Sequence, residues 1–176
     1  MSRVKKLVRQ EIQDLSAYPV PNSDGMTKLD AMENPYTWPA VAKEAWSEML
    51  KTLPINRYPD PQAQHVKDEL REVMGVSDEF DILLGNGSDE IIQLLAMALA
   101  KPGATILAPE PGFVMYKMIA TLCGLNYIGV PLTSDFELDE AAMLEAINSH
   151  QPELIFLAQP NNPTGNLWSQ ESIDKI

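Results

Sequence analysis

Leu154-Ile155-Phe156-Leu157-Ala158 runs directly into Gln159-Pro160-Asn161-Asn162-Pro163-Thr164-Gly165. The first five residues are apolar and strand-like. The next seven hold two Asn, two Pro and a Gly, a composition that makes a stiff polar turn. A buried strand that empties into such a turn suits an open α/β sheet, where ligands bind outside the carboxyl ends of the strands.

The same grammar recurs upstream. Strand-like Asp81-Ile82-Leu83-Leu84 precedes a predicted helix from about Ser88 to Ala100, which Pro102-Gly103 stops. Thr105-Ile106-Leu107-Ala108 reads as a second strand, followed by a helix from about Phe113 to Cys123 that Gly124 ends. Leu125 to Val130 is a third strand, Asp139 to Ser149 a helix, Glu153 to Ala158 a fourth strand, and Ser169 caps one further helix. Strand alternating with helix predicts an α/β fold, a mostly parallel sheet with helices on both faces. Nearer the N-terminus, Val4, Leu7, Val8, Ile12 and Leu15 stand at helical spacing. A Pro-rich passage follows, with one short apolar–polar alternation from Met26 to Met32 that reads as a possible strand. Pro39 opens a helix to about Leu53, and Val66, Leu70 and Val73 mark the face of another, with Gly75 as its C′ residue.

The 176 residues are enough to bury a core, and their formal charge of −12 disfavours nucleic acid and anionic membrane as partners, because the long-range field repels polyanions. A small phosphorylated ligand held by local dipoles is compatible with that charge. No apolar stretch approaches a membrane span, and no apolar core follows the basic start Arg3-Val4-Lys5-Lys6, so the cytoplasm is the expected compartment. The single Cys123 cannot form an internal disulfide and reads as a helix-end thiol. His65 and His150 belong to no metal-spacing motif, so no metal site is expected.

Gly85-Asn86-Gly87-Ser88-Asp89-Glu90 lies between a strand and a helix. Glycines let the backbone turn sharply, and the helix start offers unpaired N–H groups and the positive end of its dipole to a phosphate. The dinucleotide fingerprint fails because Glu90 stands at its third glycine, and a Walker loop fails for want of Gly-Lys-Ser/Thr. The plain alternative is a turn capped by Ser88 or Asp89.

Gly-x-Gly-Ser-Asp-Glu before a helix, Pro111-Gly112-Phe113-x-x-Tyr116 after the next strand, and Asn161-Asn162-Pro163-Thr164-Gly165 after a later one stand in one order. Together they resemble the fold-type I, class II pyridoxal-phosphate-dependent aminotransferases, and most closely the branch acting on histidinol phosphate. Leu29-Asp30-Ala31-Met32-Glu33-Asn34-Pro35-Tyr36 and Asn56-Arg57-Tyr58-Pro59-Asp60 resemble two further segments of that branch. The resemblance covers essentially the whole chain. It implies residues 1–53 as an N-terminal arm and small-domain segment, and residues 54–176 as an incomplete cofactor-binding large domain.

The resemblance also implies roles. Backbone N–H groups of Ser88 and Asp89 would hold the phosphate of pyridoxal 5′-phosphate. Phe113, where relatives often carry Tyr, would lie against the ring face, and Asn162 would donate its amide to the ring's 3′ oxygen. Tyr58 would reach the cofactor phosphate of the other subunit in a homodimer. Tyr18 would help to hold the substrate's phosphate, and Glu33 and Asn34 would line the substrate pocket, where Met32 replaces the usual Asn. The implied substrates are histidinol phosphate and imidazole acetol phosphate, with glutamate and 2-oxoglutarate, in histidine biosynthesis. A related enzyme acting on an aromatic amino acid or on threonine phosphate, and a cofactor-free phosphate-binding α/β module, are the alternatives.

Chemistry of this class needs a Schiff-base lysine, which in the family follows the Asn-Pro-Thr-Gly turn. Only Lys175 follows it here, in a nascent helix and read as lacking the family's Ser-x-x-Lys context, while the other lysines read as solvated charge. The expectation is therefore the N-terminal part of a longer enzyme, inert alone and prone to associate through an unpaired sheet edge.

Overall fold

A computed structural model of the chain describes residues 3–17, 22–29, 31 and 33–176. Contacts divide it into two compact units, Tyr18–Ile82 and Met1–Ala17 with Leu83–Ile176.

In the unit Tyr18–Ile82, helix α2 (Ala40–Thr52) follows Pro39, which occupies the N-cap position. Helix α3 (Gln64–Met74) ends at Gly75 in the left-handed conformation expected of it. Asp60 fastens the approach to α3 by accepting the backbone N–H groups of Gln62 (3.0 Å) and Gln64 (3.1 Å), which pull its carboxyl below the usual aspartate range. The Arg71 guanidinium folds the following loop back by donating to the carbonyls of Ser77 (2.6 Å) and Phe80 (2.8 Å). Residues 26–29 are not a strand, and the rest of that expected segment includes Asp30 and Met32, outside the described residues.

The other unit holds helix α4 (Ser88–Leu99), strand β1 (Thr105–Glu110), helix α5 (Val114–Cys123), strand β2 (Asn126–Pro131), helix α6 (Glu140–His150), strand β3 (Leu154–Ile155) and helix α7 (Gln170–Lys175). The three strands are parallel, in the order β2-β1-β3. The register pairs Thr105 with Asn126 on one side of β1, and Ile106 with Leu154 on the other. Side chains alternate across a strand. Ile106 and Ala108 accordingly join Ile92 and Ala96 of α4 and Tyr116, Ile119 and Ala120 of α5 on one face. Leu107 joins Val130 of β2 and Met143 of α6 on the opposite face. The central strand is thus buried on both sides, the expected parallel α/β arrangement.

Local signals set the helix ends. Asp139 caps α6 by accepting the Ala142 N–H, and Ser169 caps α7 by accepting that of Ser172; such caps contribute about 1 kcal/mol each. Gly124 ends α5 in the left-handed conformation.

Three expectations are corrected. Residues 4–15 form a 3₁₀ turn at Val4–Lys6 and a single helical turn, α1 (Gln10–Gln13), rather than one helix. Arg9 between them is extended (ψ 144°), and its guanidinium donates to the α5 carbonyls of Thr121 (3.2 Å) and Leu122 (2.6 Å). This tertiary anchor satisfies the carbonyls at the C-terminus of α5 in place of local helical continuity. Asp81–Leu84 is not a strand, because no neighbouring strand among the described residues pairs with its backbone. The strand expected over Glu153–Ala158 is shortened to Leu154–Ile155; the Phe156 N–H still donates to the Leu107 carbonyl (3.0 Å), after which the segment leaves the ladder.

Glu153 clamps the starts of β3 and β1 together. Its carboxylate accepts the Thr105 N–H at 2.8 Å and the Lys101 ammonium at 2.9 Å, while its own N–H donates to the Thr105 carbonyl at 3.0 Å. The Thr105 N–H first, and Lys101 second, hold its carboxyl below the ordinary value of 4.5. A carboxylate depressed in the folded state stabilises above its unfolded pKa, and that contribution disappears as pH falls through the folded value. Glu153→Gln should therefore melt below the parent chain at about pH 6, with the gap narrowing toward about pH 3. Thermal melts across that range check it, and a constant gap would refute the clamp.

Candidate functional site

The reversal of strand order places β1 between its successor β2 and the later strand β3. In open parallel sheets a ligand crevice forms beside such a reversal, outside the carboxyl ends of the strands. Two loops meet there. One leaves β1 through Glu110-Pro111-Gly112-Phe113 into α5; the other follows β3 through Gln159 to Gly165. Helix α4 hands over to β1 within a few residues and packs on the β1–α5 face, so it runs back toward the amino edge and begins at the carboxyl edge.

The N-terminus of α4 has no side-chain cap. The capping position is Gly87 (φ 82°, ψ 173°), which corrects the capped turn considered for Ser88 or Asp89. The Glu90 carboxylate instead turns backward and accepts the Asn86 N–H at 2.6 Å. A Cβ at Gly85 would lie 2.8 Å from the tip of the Ile91 side chain, which would have to shift. The N–H groups of Ser88 and Asp89 stand in the first turn, where a helix leaves its donors unpaired and its dipole positive.

Phe113 is the residue before α5 and is half-buried, its ring edge-on to Tyr116 at 5.5 Å. Tyr116 in turn stacks on Phe156 at 4.5 Å and 4°. This aromatic row joins the start of α5 to the chain just after β3. Burial keeps the Tyr116 hydroxyl above the usual phenol range, and so neutral.

The two adjacent asparagines divide their work. Asn161 is buried, and its amide nitrogen donates to the Pro111 carbonyl (3.1 Å) and to Thr164 Oγ1 (2.8 Å). Its backbone N–H donates to the Asn166 carbonyl (2.8 Å), and its carbonyl accepts the Gly165 N–H (2.7 Å). Asn162 is half-buried, and among the described residues its amide has no protein partner. The structure thus brings the loop of Phe113 and the turn of Asn162 together through Asn161. The sequence does not reveal which of the two neighbouring asparagines turns in; the structure buries Asn161.

A cavity of about 500 Å³ opens beside Phe113, lined also by Glu110, Pro111, Lys117, Tyr127 and Pro131. Neither Ser88 nor Asn162 is on its wall. Lys117 lies 4.0 Å from the Glu110 carboxylate and 5.8 Å from the centre of the Tyr127 ring. Burial first, and the Glu110 charge second, push the Tyr127 hydroxyl well above its ordinary pKa. Gly129 lies beneath this group, and a Cβ there would displace the Glu110 side chain.

The remaining candidates belong to the unit Tyr18–Ile82. Tyr58 is fully exposed, Glu33 lies 3.6 Å from the Lys28 ammonium, and Asn34 accepts the Tyr36 N–H at 3.0 Å. Tyr18 lies outside the described residues. In the other unit, Ser172-Ile173-Asp174-Lys175 does carry the Ser-x-x-Lys spacing, which corrects the reading that Lys175 lacks it, but both side chains bond to Glu140 (Lys175 at 3.0 Å, Ser172 at 2.7 Å). That contact and Glu171 raise the ammonium's pKa, so Lys175 stands as a protonated tether at the surface.

Residues 24–176 match the aminotransferase class I and II family, and the chain belongs to that family. A histidinol-phosphate aminotransferase of Thiocapsa roseopersicina is 52% identical over 174 residues, 98% of this chain and 92% of that protein. Histidinol-phosphate aminotransferase 1 of Ralstonia nicotianae is 54% identical over 171 residues, 97% of this chain and 46% of that protein. A third relative, from Nitrosococcus oceani, is matched over 48% of its length, so the chain spans about half of these last two. The crystal structure of histidinol-phosphate aminotransferase from Sinorhizobium meliloti, in complex with pyridoxal-5′-phosphate, aligns with a TM-score of 0.76 at 22% identity, over 98% of this chain and 46% of that one. The Clostridium acetobutylicum histidinol-phosphate aminotransferase aligns with a TM-score of 0.64 at 24% identity, over 75% of this chain and 37% of that one. At such identities the two structures establish the fold, that of the aminotransferases.

Proposed function

We propose that the intact protein transfers an amino group between histidinol phosphate and 2-oxoglutarate, using pyridoxal 5′-phosphate, as a cytoplasmic homodimer. The substrate assignment is supported by the names of relatives 52% and 54% identical to the chain. The observation that carries the cofactor assignment is the pairing of Asn161 with Asn162. One amide is spent inside the protein tying two loops together, and the next has no partner among the described residues.

The residues present suit a flat phosphorylated ring. First-turn N–H groups of α4, uncapped by any side chain, are ready-made for a phosphate, and the aromatic ring of Phe113 for a ring face. When bound, the cofactor supplies an electrophilic carbon and a ring that withdraws an electron pair from the substrate. The chain's own part is to hold and polarise. Ser88 and Asp89 would fix the phosphate through backbone N–H groups, Phe113 would fix the tilt, and the Asn162 amide would hold negative charge at the 3′ oxygen by donating to it. Tyr58 would meet the phosphate held by the partner subunit, and Tyr18, Glu33 and Asn34 would contact the substrate.

Incubation of the intact protein with histidinol phosphate and 2-oxoglutarate should yield glutamate. Turnover of an aromatic amino acid or threonine phosphate in its place would reassign the substrate, and failure to take up the cofactor would reject the class. Asn162→Ala removes one hydrogen bond to a charged oxygen, worth about 1.5–2 kcal/mol, so kcat/KM should fall about tenfold to thirtyfold. An unchanged kcat/KM would remove Asn162 from the site.

A further inference from the structure

The site as assigned needs Asn162 and Phe113 on opposite loops to hold one ring, yet those loops leave different strands. The register of β1 against β3 runs through Ile106–Leu154 and Leu107–Ile155, and the last backbone bond between the two segments among the described residues is Phe156 N–H to the Leu107 carbonyl. Beyond them, the aromatic row of Phe113, Tyr116 and Phe156 packs the two sides together, and among the described residues the hydrogen bond from the Asn162 turn to the Phe113 loop comes from one side chain. Asn161 is 4% exposed, its amide bridges 3.1 Å to the Pro111 carbonyl, and its second N–H is held by Thr164 at 2.8 Å. Pro111 stands two residues before Phe113, and Asn161 one residue before Asn162. Both N–H bonds of one planar group are therefore used, so the amide cannot rotate without losing a partner. A buried, fully used donor of this kind holds its neighbours to one geometry.

We propose that Asn161 is a positioning residue, whose buried amide sets the separation between the Asn162 amide and the Phe113 ring across the crevice. This rests on the cofactor reading above. The Pro111 carbonyl receives the bridge, whereas the bond to Thr164 stays inside the turn and spans no loop. Asn161 touches no reacting atom in this scheme; it acts through its two neighbours.

Three variants of the intact protein test the assignment. Asn161→Asp keeps the shape but replaces the donor with a carboxylate that cannot bond the Pro111 carbonyl. Asn161→Ser is too short to reach across and serves if the Asp variant does not fold. Thr164→Val removes only the bond internal to the turn. Without cofactor, hydrogen exchange at the amides of Gly112 to Val114 should rise about tenfold or more in the Asp or Ser variant, and stay within about twofold in Thr164→Val. With pyridoxal phosphate, the Asp or Ser variant should bind about tenfold more weakly, and its visible circular dichroism per bound cofactor should fall by about half or more. Thr164→Val should keep both within about twofold. Faster exchange with unaltered affinity and dichroism would leave Asn161 a purely structural bond and overturn the proposal. Unaltered exchange would overturn it by denying the bridge. A parent protein that takes up no cofactor would sink the cofactor reading and this proposal together, whereas normal uptake with insensitive variants sinks this one alone.

Discussion

Replacing Leu107 with Ala is expected to cost the folded chain about 3–4 kcal/mol, near the upper part of the range for buried leucines. Leu107 has no exposed surface and occupies the middle of the central strand. It fills the space between β1 and α6, against Val130 and Met143, with Ile128, Ile147, Ile155 and Leu157 at the edge of the cluster. Truncation loses the transfer energy of the removed methyl groups and leaves a cavity. Relaxation into that cavity is restricted, because the backbone at Leu107 pairs with Ile128 on one side and Ile155 on the other. For a chain of this length the loss should lower Tm by roughly 6–16 °C. Leu107→Met, which conserves volume, should cost less than about 1.5 kcal/mol. A loss under about 1 kcal/mol for the alanine variant would show that the α6 face of the sheet is not the close-packed core described here.

The same residue shows why so much of this fold was legible. Ile106 to Ala108 is a continuous apolar run, as a strand covered on both faces requires, and the structure buries all three together with Thr105 before them. Helix ends written in local chemistry were equally readable: Ser169 as a cap, Asp139 as the start of its helix, Gly75 and Gly124 as left-handed ends. Features that depend on a distant partner were not. Residues 4–15 carry a helical apolar pattern, but Arg9 breaks it to reach the α5 carbonyls across more than a hundred residues of sequence. Asp81–Leu84 has strand composition without a strand beside it, and a ladder belongs to the pair rather than to either sequence. Within the site, the order of loop ends was visible as motifs. The division of labour between Asn161 and Asn162 was not, since identical side chains differ only in which way the turn points them.

Gly112→Ala should destabilise the chain by about 3 kcal/mol and also cripple the crevice, because the clash it introduces is with backbone. A Cβ at Gly112 would fall 2.4 Å from the Pro109 carbonyl oxygen. Pro109 cannot yield easily: it is paired with Val130 in the ladder, and the next carbonyl, that of Glu110, accepts the Leu132 N–H at 2.8 Å. The movable side is the loop itself, which carries the Pro111 carbonyl bound by Asn161 and the ring of Phe113. Displacing it lengthens the 3.1 Å bridge and retilts the ring, so affinity for pyridoxal phosphate should drop about tenfold or more alongside the fall in Tm. Gly103→Ala is the informative contrast. Gly103 has φ 84°, and a Cβ there would meet nothing within 4 Å, so only the conformational cost remains, about 1 kcal/mol. Its variant should melt slightly lower and bind cofactor as the parent does. If the Ala substitutions at Gly112 and Gly103 behave alike in both measurements, the close approach of Gly112 to β1 does not shape the crevice.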